Sequence, residues 1–89
     1  MDREMKYIIF EVTKGHTIHI PVVFHRVLNH KDVSQALLPV LLETFSPHTV
    51  KPVSAGFYSL LTGRCTGEST SLDLRHRAED KEIIEHGIP

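Results

Sequence analysis

Asn29-His30-Lys31-Asp32-Val33-Ser34-Gln35-Ala36-Leu37-Leu38-Pro39-Val40-Leu41-Leu42-Glu43-Thr44-Phe45 is the stretch whose reading decides the fold. Asn29 suits an N-cap, since its side-chain oxygen can accept an orphan first-turn N–H. Asp32, three residues on, is the acid of a weak capping box and lies at the positive end of the helix dipole. Val33, Ala36, Leu37, Val40 and Leu41 recur at helical spacing and predict one core-facing stripe. Leu38, Leu42 and Phe45 lie off its centre and widen the apolar arc to roughly 240°. A single sheet covers only part of such an arc. The rest needs another cover: the C-terminal segment folded back over Leu38 and Leu42, a two-fold symmetry mate, or a foreign ligand or peptide in a groove. Pro39 removes the N–H that would bond the Gln35 carbonyl, and it disfavours helical angles at Leu38. It predicts either a kink or a helix that restarts at Pro39.

Outward from that helix, the flanking segments read as hairpins. Lys6 to Val12 alternates Ile8, Phe10 and Val12 with Tyr7, Ile9 and Glu11, as a strand does. After a turn at Thr13-Lys14-Gly15, His16 to Phe24 places Ile18, Ile20, Val22 and Phe24 on one face. A three-residue loop, pairing Phe10 with Ile18 and Ile8 with Ile20, makes the two apolar faces coincide, whereas a two-residue loop sets them opposed. Pro21 marks this strand as an edge or a bulge.

Beyond the helix, Ser46 to Pro52 is a turn-rich connection. Val53 to Leu61 is a third strand with Val53, Ala55, Phe57 and Leu61 on one face. A tight turn at Thr62-Gly63 returns the chain as a polar fourth strand, Arg64 to Leu74, with Tyr58 over Gly67. Arg77 to His86 is a short closing helix, with Glu79 and Asp80 early and Gly87 beyond its end. Ile83 and Ile84 are its only large apolar residues. The order β-β-α-β-β-α predicts an α+β fold over residues 1–89, one domain. Its four-stranded antiparallel sheet carries the long helix on one face, with the short C-terminal helix added.

Composition narrows the function. A net charge of −1 and six Tyr and Phe residues argue against a nucleic-acid footprint, which needs a basic face with stacking aromatics. Cys65 is the single cysteine, so no intramolecular disulfide forms and a reducing compartment, the cytoplasm, is expected. The N-terminus does not read as a signal peptide. The longest apolar run, Ala36 to Leu42, is seven residues and far too short to span a bilayer, so no membrane partner is expected.

Seven histidines are the compositional oddity. His16 and His19 point to opposite faces of a strand, and His19 and His25 lie too far apart for one ion. His25 and His30 flank the loop into the helix and are the pair that can converge, with Cys65 as a conceivable nucleophile distant in sequence. Arg75 and Arg77, beside Glu79 and Asp80, could clamp a carboxylate or phosphate, though a solvated helix start with local ion pairs accounts for them. The Gly- and hydroxyl-rich stretch Thr62 to Ser71 lacks the Gly-Lys-Ser/Thr ending of a P-loop. The sequence therefore favours a non-enzymatic protein, with no cofactor or metal, that acts by protein–protein contact as a homodimer. Leu38, Leu42 and Phe45 are the expected interface, with Ile83 and Ile84 secondary. The alternative is a small hydrolase or metal-dependent enzyme using His25, His30 and Cys65.

Overall fold

A computed structural model describes residues 4–46 and 48–87. Two long strands open the chain, β1 (Glu4–Lys14) and β2 (His16–Phe24), followed by α1 (His30–Phe45) and β3 (Thr49–Ser59). Three two-residue strands come next, β4 (Cys65–Thr66), β5 (Glu68–Ser69) and β6 (Leu74–Arg75), and α2 (Asp80–Gly87) closes the described chain. The main sheet is four-stranded and antiparallel in the order β2-β1-β3-β4, so the α+β architecture expected from the sequence is the one observed.

Burial explains why β1 is central. Tyr7, Ile8, Ile9 and Phe10 are all fully buried, which requires cover on both sheet faces because successive side chains point opposite ways. Ile8 and Phe10 pack with Phe24, Leu41 and Ala55 beneath α1. Tyr7 and Ile9 pack with Ile84 beneath α2. The two helices therefore cover opposite faces. The C-terminal helix does not fold over α1; Leu72 and Leu74, around the small β5–β6 hairpin, add the extra cover on that side.

The helix keeps its cap and changes its facing. Asn29 is the N-cap and accepts from the Lys31 N–H. The helix runs unbroken through Pro39 with no restart there. Pro39 and Gln35 are both exposed, so water can reach the carbonyl that proline leaves unbonded. The buried line is His30, Ser34 and Leu41, flanked by half-buried Val33, Leu37, Leu38 and Phe45. The expected stripe was thus rotated: Ala36 and Val40 face outward, while Leu38 and Phe45 reach the core. The aromatic wall of Phe24 and Phe57 against His30 pulls the helix towards its polar first turn, a contact invisible to hydrophobic periodicity.

Three registers differ from expectation. The first hairpin pairs Phe10 with Ile20 and Ile8 with Val22, two residues from the predicted register, with Gly15 at φ 75° in the turn. An even slip preserves faces, so the apolar sides still coincide. In β3 a bulge near Val53 turns that residue to the α2 side, with Val53 packing there and Ala55 under α1. The predicted fourth strand is short. Only Cys65 and Thr66 pair with β3, opposite Tyr58 and Phe57, before Gly67 at φ 73° turns the chain away. The aromatic over that glycine is Phe57, whose ring a Cβ at Gly67 would meet at 2.8 Å.

Candidate interaction surface

The most concentrated chemistry lies inside the molecule: the Arg77–Asp80 pair, read from the sequence as part of a solvated helix start, is buried at Asp80. Asp80, fully buried at the start of α2, accepts from Tyr7 Oη at 2.6 Å and Ser54 Oγ at 3.0 Å. It also accepts from the Arg77 backbone N–H at 2.9 Å and from Arg77 Nε at 3.1 Å. The bond back to the Arg77 N–H is the returning half of a capping box, so the first ordered turn begins where the sequence suggested, although the helix proper begins at Asp80. Burial, followed by the bond to Asp80, pushes the Tyr7 hydroxyl far above its ordinary range and keeps it a donor. Cys65 sits half-buried beside Tyr7, and burial pushes its thiol up as well, which disfavours the thiolate a nucleophile needs. With Tyr7, Ser54 and Asp80 sealed from solvent, this cluster pins a helix to a sheet. The hydroxyl partners of Asp80 on β1 and β3, 73 and 26 residues away, carry no local sequence signal.

The other predicted chemical residues are separately engaged. His30 is buried, with its ring edge-on to Phe24 and Phe57 and Nε2 3.0 Å from the Gly56 carbonyl. A carbonyl only accepts, so Nε2 carries the proton. Burial lowers the His30 pKa, the Gly56 bond opposes that shift, and Lys6 adds to it. His25 is exposed, and its Nδ1 accepts from the Val27 N–H within its own loop. Arg77 is turned inward to Asp80, while Arg75 lies in β6 opposite Glu68. Among the described residues no group of three or more His, Cys, Asp or Glu side chains is placed to hold a metal ion.

The apolar candidates divide by place. Ile84 is fully buried and Ile83 half-buried, both against the sheet face under α2. Leu38 and Phe45 pack partly into the core. Leu42 remains 49% exposed, on the same helix flank as both, being four residues after Leu38 and three before Phe45. That flank leads to a pocket of ≈ 140 Å³ lined by Val12, Lys14, His16, Ile18 and Phe45. The pocket forms because α1 ends at Ser46 in a left-handed cap while the β1–β2 hairpin continues beyond it. The opposite side of the same hairpin is polar: Glu11 lies directly across from His19 and Lys51, at 3.6 Å and 3.9 Å. At the hairpin end the pocket face therefore holds an apolar floor of Val12, Ile18 and Phe45, rimmed by exposed Lys14 and His16.

No helix of the described residues is long and apolar enough to cross a membrane. No known protein family, curated protein or solved structure matches the chain.

Proposed function

We propose that this chain acts by protein–protein contact as a non-catalytic homodimer, joined at the hairpin end of the molecule. The observation that supports it is the apolar run from Leu42 through Phe45 to Ile18, half-open to water around the pocket. Two-fold pairing is the commonest way for one chain to bury such a patch. The polar groups with the strongest chemical character support the same reading, because they face the interior and hold α2. The cytoplasm belongs to this proposal, with Cys65 unpaired.

Native mass spectrometry at neutral pH tests it, beside the Leu42→Glu variant. The wild-type chain should appear as a dimer. Leu42→Glu should be monomeric with an unchanged far-UV spectrum, since Leu42 is exposed and its replacement leaves no cavity. A wild-type monomer would overturn the proposal. So would a Leu42→Glu variant that unfolds, because Leu42 would then belong to the core.

A further inference from the structure

The homodimer reading above leaves open how two copies would meet, and the backbone of β2 narrows the answer. The Thr13 carbonyl accepts from the His48 N–H at 2.8 Å, on the β3 side of β1. Successive strand residues turn their backbone polar groups to opposite sides. Odd-numbered residues of β1 therefore face β3, and even-numbered ones face β2. Val12, Phe10 and Ile8 lie opposite Ile18, Ile20 and Val22, so these β2 residues bond inward. Thr17, His19, Pro21 and Val23 turn theirs to the open edge, β2 being the outermost strand.

That edge is usable over a short length. Pro21 has no N–H to offer, and α2 stands against it, since a Cβ on Gly87 would collide with the Pro21 ring. At the other end the strand stops at the Gly15 turn. Between them His16, Thr17, Ile18 and His19 are exposed. Two free N–H groups, those of Thr17 and His19, are too few for an extended peptide to bind through main-chain bonds alone. A second copy makes the same edge bonds and adds an apolar contact beside them. With a two-fold axis at Ile18, Thr17 of one copy lies opposite His19 of the other, and both donors and both acceptors of each edge are used. The same register sets Ile18 beside its mate on the apolar face, next to the pocket that Phe45 lines. Pro21 falls opposite the mate's Gly15 turn, where the paired edge has already ended and no donor is used.

We propose that two copies join their sheets edge to edge through β2, antiparallel, with the two-fold axis at Ile18. Ile18 then forms a non-hydrogen-bonded pair with its mate, with Cα atoms about 4.5 Å apart, within the span of a disulfide.

The test is cross-linking of the full chain in a Cys65→Ala background. Ile18→Cys should oxidise to a covalent dimer in high yield. Ile20→Cys should give at least about tenfold less, because its mate lies about 13 Å away along the strands. His19→Pro provides the second reading. Its N–H faces outward, so the fold should survive as it does at Pro21, while self-association weakens at least about tenfold through the lost edge bonds. A wild-type dimer whose Ile18→Cys variant does not cross-link would overturn the edge register and leave the homodimer reading standing. A wild-type monomer would overturn both. Should His19→Pro not fold, Ile18 would not bond inward alone and the parity argued from Thr13 would be wrong.

Discussion

The two faces of the sheet are covered by helices that are held in different ways. The longer helix, α1, presents Val33, Leu37, Leu38, Leu41 and Phe45 to Ile8, Phe10, Val22 and Phe24, and its docking is an apolar contact many side chains deep. Eight-residue α2 brings only Ile83 and Ile84. Fully burying one such side chain stabilises by about 1.5–3 kcal/mol, comparable to the cost of ordering one or two residues. A helix with so little apolar surface needs a further tie. Asp80 provides it, meeting a hydroxyl from β1, a hydroxyl from β3 and the Arg77 guanidinium in a site closed to water. Apolar contacts tolerate small shifts, whereas a buried carboxylate with four donors fixes one geometry. The difference teaches that residues which look catalytic in composition can serve as the anchor of a sparse element.

Removing that anchor should have the largest effect. Asp80→Ala leaves Tyr7, Ser54 and Arg77 with buried donors and no acceptor, and should cost about 3–5 kcal/mol in urea denaturation. If α2 were held by Ile83 and Ile84 alone, the loss would be under about 1 kcal/mol and the contrast between the faces would collapse.

The α1 face carries one polar test of its own. His30 is neutral and buried between two phenyl rings, with its pKa held below the ordinary value of 6.5 by burial. Above pH 6.5 neither state binds the proton and this contribution to stability is whole. As pH falls below 6.5 the unfolded chain takes the proton first, so stability declines until the lowered folded value is reached. The urea midpoint should therefore fall more between pH 7.5 and pH 5 for the wild-type chain than for His30→Gln, whose amide can still donate to the Gly56 carbonyl. Equal slopes would mean that the ring is solvated.

The smallest effect concerns the end of α1. Ser46 closes the helix at φ 45°, ψ 50°, with its N–H on the Leu42 carbonyl. Left-handed angles suit glycine better than serine, so Ser46→Gly should raise stability by about 0.5–1 kcal/mol, read as a higher melting temperature. No gain would indicate that the entropy glycine adds to the unfolded chain offsets the relief.

Local rules made much of the fold legible. Asn29 capped the helix as its side chain allows, the first two strands paired as an antiparallel hairpin with their expected apolar faces together, and Pro21 marked an edge. Partners distant in sequence decided the rest. Hydrophobic periodicity could not rotate α1 towards His30, because that turn is set by Phe24 and Phe57, which come from separate strands. Nor could it shorten the fourth strand, which ends where Phe57 lies over Gly67. The expected interface met the same limit: of its five residues only Leu42 stays substantially exposed, and Ile84 became the centre of the second core.

The sequence by itself determined the two opening strands, the capped helix, the strand after it and the antiparallel first hairpin, since capping, alternation and turn chemistry act over a few residues. The tertiary structure alone decided which face each helix covers, where β3 bulges and how Asp80 gathers its donors. Those outcomes depend on contacts such as Tyr7 to Asp80, 73 residues apart, whose energy exists only once the chain has closed around them.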